Sequence, residues 1–150
     1  MNFPKPLAPL RENRPQLFIP LAIECVSAGF PSPADDYINS GIDLNEELIH
    51  NPTSTFFLRV SGHSMSNAGI QDGDLLVVDR SLNPHPGHIV IAVLDGAFTL
   101  KRLALKNETL YLEADHPNYP PIELWQYEDV QIWGVAVHSI HHLNSIATSK

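Results

Sequence analysis

HIVIAVLDGAFTLKRL, residues 88–103, places two strand-like runs on either side of Asp95-Gly96. An Asp-Gly pair between such runs signals a tight hairpin, because both central residues of a type I′ turn need positive φ and these two tolerate it. Further runs rich in β-branched and aromatic residues recur at 55–60, 75–79, 109–113 and 130–140, bounded by Gly, Pro, Asn and Asp. With the hairpin strands at 88–94 and 97–103, they predict a compact, mainly antiparallel β domain from about residue 50. Upstream, Pro15, Pro20, Pro31 and Pro33 bar any long helix. One short helix is expected within 42–50, with Asp43 as N-cap and Glu46 at capping-box spacing. The rest of that half reads as an extended, loosely structured arm.

The 150 residues are one domain's worth of chain, long enough to bury roughly 70% of the surface the unfolded chain exposes. Nine Lys and Arg against 17 Asp and Glu give a net charge of −8. A surface so acidic repels a phosphate backbone, so direct nucleic-acid binding is not expected, and any DNA-related role would run through a protein partner. Cys25 is the only cysteine, which excludes an internal disulfide and a cysteine zinc site. The first ten residues lack the apolar core of a secretory signal, and the longest aliphatic run, 89–94, is far short of the roughly 20 residues that span a bilayer. A cytoplasmic chain without a membrane anchor is expected.

Three features carry possible chemistry. Ser61-Gly62-His63-Ser64-Met65 follows directly on the strand at 55–60. A serine after Gly-X at a strand end can sit on a tight turn with its hydroxyl exposed and backbone N–H groups converging on a developing oxyanion. Gly62 is expected to remove a side chain that would crowd that approach, with Met65 supporting the turn. Ser and Gly at a strand end also make ordinary turns. Lys101 and Arg102 are adjacent on a strand and so point to opposite faces. Lysine is the better candidate for the inner face, since desolvation lowers its pKa while guanidinium stays charged. A buried neutral lysine can act as general base for a serine hydroxyl, although a strand lysine can also snorkel to water. Ala28-Gly29, flanked by Val26 and Phe30, is a peptide bond between two small residues that could enter a narrow cleft.

Taken together, an Ala-Gly bond in an arm, then Ser-Gly-X-Ser-Met, then a lysine 37 positions after the serine resemble the LexA/UmuD self-cleaving serine protease family, peptidase S24-like. The likeness extends to GFPSPADDY at 29–37, IDLN at 42–45, GIQDGDLLVVD at 69–79 and Gly134-Val135 in the last strand. It implies that Ser64 is the nucleophile, Lys101 the general base and Ala28–Gly29 the scissile bond. Residues 1–28 would be removed, 29–50 would remain as an arm with a short helix, and 51–150 would be the catalytic domain. Ala28 stands where the best-known UmuD has cysteine, and Cys25 lies too early to supply it. The proline-broken residues 1–28 fit no DNA-reading helix, so the UmuD type is expected over a LexA-like repressor fragment. The resemblance then implies an accessory subunit of a UmuC-type Y-family translesion polymerase, cleaved in the SOS response when a RecA–single-stranded DNA filament acts as co-protease. It also implies a homodimer, for which the apolar run 132–137 offers a pairing strand. No cofactor and no metal are expected.

Other readings stand beside this one. His63 neighbours Ser64, but adjacent turn residues seldom meet side chain to side chain. His138, His141 and His142 match no metal-site spacing and read as a solvated terminal strand. Asp72, Asp74 and Asp79 read as turn chemistry, and Trp125 and Trp133 as core or interface residues. A signal peptidase would share the Ser/Lys pair but needs a membrane anchor. A non-catalytic β-domain adaptor fits the composition equally well. Leu17, Phe18, Ile19 and Leu21 are expected to dock on the β domain without forming its centre.

Overall fold

The computed structural model describes residues 16–22, 26, 28–29 and 38–144, which fall into two units divided between His50 and Asn51. In the smaller unit β1 (Ile19–Ala22) pairs antiparallel with β2 (Ile38–Ile42), and α1 (Leu44–Leu48) follows. This pair was not anticipated, the segment having been expected as an extended, loosely structured arm. In a two-stranded sheet both strands are edges, and an edge tolerates a residue that cannot donate to the ladder. Asp43 caps α1 as expected, its carboxylate accepting from the Asn45 N–H at 3.0 Å. Glu46 accepts from Gln16 Nε2 at 2.6 Å, so only the Asp43 half of the expected capping box is formed. Leu17, Phe18, Ile19 and Leu21 are exposed.

The larger unit is one antiparallel sheet of β3 (Thr55–Arg59), β4 (Leu75–Asp79), β5 (Ile89–Leu94), β6 (Ala97–Lys106), β7 (Thr109–Glu113), β8 (Ile122–Glu123) and β9 (Val130–Ile140). Spatial order is β3-β4-β9-β5-β6-β7-β8, so the last strand lies between β4 and β5. Gly134 makes that insertion possible, since a Cβ there would lie 2.6 Å from Val78 Cγ1 on β4. Asp95 and Gly96 turn the β5–β6 hairpin with φ of 46° and 83°. Asn107 and Glu108 turn β6 into β7 the same way, at 50° and 63°, without a glycine to mark the position. That is why β6 runs three residues past its expected end at Leu103.

Both faces of the sheet are covered. One face packs Leu58, Met65, Ile70, Leu76, Val78 and Ile91 together, and the other Val90, Ala92, Leu94, Leu103, Leu112 and Val135. β5 contributes to both clusters, which accounts for its unbroken apolar run: a strand with water on neither face has no polar side to alternate with. The mainly β, antiparallel class expected from the strand pattern is the one observed. Among the described residues no helix is long and apolar enough to cross a membrane.

Candidate active site

Leaving β3, the chain is held on both sides of Ser64. Val60 exchanges hydrogen bonds with the 71–74 turn, its N–H donating to Asp74 O at 2.9 Å and its carbonyl accepting from Gly73 N at 2.8 Å. Two residues on, Gly62 sits at φ +99°, a conformation that a Cβ makes costly. A Cβ there would meet nothing of the chain within 4 Å. Glycine is needed for the backbone angle. Its N–H is engaged by Asp72 Oδ1 at 2.8 Å, so Gly62 shapes the turn and does not offer a free donor. Beyond Ser64, Met65 anchors the turn in the core with 2% of its surface open, and Ser66 donates to His63 O through both N–H and Oγ.

Lys101 arrives from β6, 7% exposed. Its Nζ donates to Ser64 Oγ at 3.0 Å, to Thr99 Oγ1 at 2.9 Å and to Leu100 O at 3.1 Å. All three partners are neutral. Burial without a counter-charge pushes the amine below its ordinary value of 10.5. Arg102 takes the opposite course, donating to Gly87 O and to Asp115, both at 2.8 Å. The register rule thus separates the two cations as the alternation of the strand requires. Thr99, two residues before Lys101 and on the same face, was missed in the sequence; the i−2 spacing on a strand is the signal that points to it.

The amine's three neighbours suit both of its protonation states. As an ammonium it donates to all three. As a neutral amine it keeps two donors for Thr99 and Leu100 O and turns its lone pair toward the Ser64 hydroxyl, which then donates. A cleft of about 470 Å³ opens over the pair, lined by Leu58, Leu76, Ile91 and Phe98 on its apolar side and by Tyr119 at its rim.

Burying this cation has a measurable consequence. The folded chain releases the Lys101 proton at lower pH than the unfolded chain, so the unfolded state binds more protons between the depressed value and 10.5, and stability rises with pH across that window. Below the window the full penalty of the buried charge remains. Lys101→Met should therefore raise Tm near neutral pH, with a gain that shrinks as pH approaches 10.5. Thermal unfolding followed by circular dichroism checks this, and a lower Tm at pH 7 would contradict it.

The structure brings Ser64, Lys101, Gly62 and Met65 together within the larger unit. Ala28 and Gly29 lie at an exposed bend in the smaller one, with Val26 94% open nearby; Cys25 and Phe30 lie outside the described residues. His63 is exposed. His141 and His142 are exposed as read, and His141 Nδ1 also lies 2.6 Å from Asp74 Oδ1, whose residue is 1% exposed. That contact, with hydrogen bonds from the Gln71 N–H and Ser139 Oγ, offsets the effect of burial and lowers the Asp74 pKa. Asp79 accepts from Asn51, Ser54 and Ser81, closing the start of the domain onto the end of β4. Trp133 packs against Phe56 and Phe98 under the Arg80 guanidinium, whereas Trp125 is exposed.

The family model described as Peptidase S24-like matches residues 20–137, which takes in the arm, the serine turn, β6 and most of β9. The chain belongs to the peptidase S24-like family. Among its S24 relatives it is 47% identical to protein ImpA of Escherichia coli over 128 residues, 85% of this chain and 86% of that protein. It is 44% identical to protein MucA of Escherichia coli over 126 residues, 81% of this chain and 84% of that one. To the LexA repressor of Shewanella oneidensis it is 35% identical over 132 residues, 87% of this chain and 63% of the repressor.

Proposed function

We propose that this S24 peptidase is a self-cleaving serine endopeptidase of the UmuD type, which cuts its own Ala28–Gly29 bond with Ser64 as nucleophile and Lys101 as general base. The observation that carries the reading is the 3.0 Å contact between Lys101 Nζ and Ser64 Oγ in a buried setting without a carboxylate. Neutral Lys101 takes the Ser64 proton as Oγ attacks the Ala28 carbonyl carbon, and the carbonyl electron pair moves to oxygen. Backbone N–H groups around Ser64, on a turn held by Gly62 and Met65, stabilise that oxyanion. The intermediate collapses, the Gly29 nitrogen leaves with the proton from Lys101, and Ala28 remains as an ester on Ser64. Lys101 then takes a proton from water, which attacks the ester, and returns it to Ser64 Oγ as the ester bond breaks and the Ala28 carboxylate is freed.

The cut falls in the connection between β1 and β2, so it leaves the β1 segment held to the rest of the smaller unit by non-covalent contacts, the β1–β2 ladder and the Gln16–Glu46 hydrogen bond among them. A two-stranded ribbon is marginal in water, and residues 1–28 should separate from 29–150 on gel filtration after cleavage. Co-elution of the two pieces under native conditions would contradict this. The processed chain acts as accessory subunit of a UmuC-type translesion polymerase in the SOS response, and a RecA–single-stranded DNA filament promotes the cut. The net charge of −8 favours that protein-mediated route to DNA over direct binding. The chain functions as a homodimer, so sedimentation at micromolar concentration should give twice the mass of 16.7 kDa. A LexA-like repressor fragment is the second reading, and the lower identity to the LexA repressor disfavours it. The test is incubation of the purified chain near pH 7 with RecA–single-stranded DNA filaments. Faster appearance of two fragments supports the assignment, and an unchanged chain with and without filaments refutes it.

A further inference from the structure

Asp72 lies eight residues beyond the serine on a second turn that faces the Ser64 turn. That second turn is unusually well held. The Asp74 carboxylate accepts from Gln71 N at 2.8 Å and Ser139 Oγ at 3.0 Å and meets His141 Nδ1 at 2.6 Å, and Arg59 Nη1 donates to Gly73 O at 3.1 Å. Backbone bonds between Val60 and the Gly73–Asp74 pair fix its distance from the end of β3. From this rigid base the Asp72 side chain reaches across and accepts the Gly62 N–H at 2.8 Å. Gly62 carries the left-handed φ that aims the next two residues, and Ser64 is the second of them.

We propose that Asp72 is a positioning residue for the nucleophile: its Oδ1 holds the Gly62 amide and thereby keeps Ser64 Oγ within hydrogen-bond reach of Lys101 Nζ. This deepens the proposed self-cleavage and rests on it. Asp72 is exposed and contributes nothing to the core, so its bond to Gly62 serves the turn and not the packing. The unrestrained alternative is costly for the reaction, because a displacement of about 1 Å between reacting groups can lower a rate about 100-fold. The acceptor matters and the charge does not, so an amide oxygen at the same place does the same work.

The experiment compares the full chain with Asp72→Ala and Asp72→Asn by three readouts: the first-order self-cleavage rate across pH, the rate of Ser64 labelling by a fluorophosphonate, and Tm. Asp72→Ala should cleave and label about 10- to 100-fold more slowly. Its rate should still rise with pH before levelling, because Lys101 stays buried on β6 and remains the base. Asp72→Asn should recover most of both rates. The proposal is overturned if Asp72→Ala reacts like the parent chain, if Asp72→Asn is as slow as Asp72→Ala, if the Asp72→Ala rate no longer rises with pH, or if Asp72→Ala is unfolded at the assay temperature. Labelling keeps the two ideas apart. A parent chain that labels at Ser64 but never cuts itself would refute self-cleavage and still allow the Asp72 effect to be read from the labelling rates.

Discussion

Lys101→Ala is expected to stop self-cleavage while leaving the fold intact. Removing the base forces water to take the Ser64 proton, and positioned general bases contribute about 10²- to 10⁴-fold to such steps. On a reaction that is already slow at neutral pH, that loss puts cleavage below detection. Ser64→Ala should be at least as severe, since no oxygen remains to attack. The fold should survive both changes. Lys101 is buried without a counter-charge, so its removal relieves a desolvation penalty, and Ser64 is only half-buried on a turn anchored by Met65. Arg102→Ala should keep its cleavage activity, because that guanidinium serves Asp115 and Gly87 O on the other face of β6. Rates measured by gel densitometry, with Tm for each variant, separate loss of chemistry from loss of structure.

The second large effect is the dependence on pH. Only neutral Lys101 can accept the serine proton, so the rate follows the neutral fraction, rising tenfold per pH unit below the folded pKa and levelling above it. Burial lowers that pKa from 10.5, so the plateau should begin below pH 10.5. A histidine base would instead level off above about pH 7, where imidazole is already neutral. His63 is the histidine nearest the serine in sequence, and it is exposed. Rates between pH 6 and 11 on one preparation decide between these profiles.

The sheet was legible in the sequence where apolar runs are long and bounded. β4, β7 and β9 begin and end where the pattern placed them, and the Asp95-Gly96 turn fixed the β5–β6 register. Legibility failed where the signals are non-local or lack their usual residue. The Asn107–Glu108 turn has no glycine, so the end of β6 was hidden. β1 contains Pro20, and its pairing with β2 depends on a partner some 20 positions away, which no local pattern reports. At the candidate site, Ser64 and Lys101 were found because their residue types carry the chemistry. Thr99 and Asp72 were not, because a threonine on a strand and an aspartate in a turn are ordinary there; only the distances to Lys101 Nζ and Gly62 N set them apart. The contact of exposed His141 with Asp74 was hidden for the same reason, its partner lying 67 positions away.

The account rests on one bond being cut by one pair of residues. Its most direct test is mass spectrometry of the purified chain after incubation near pH 10, alongside Lys101→Ala treated identically. The account predicts that the parent chain yields two products, one ending at Ala28 and one beginning at Gly29, and that Lys101→Ala yields neither. A new N-terminus elsewhere, or cleavage at Ala28–Gly29 in the Lys101→Ala chain, would contradict it.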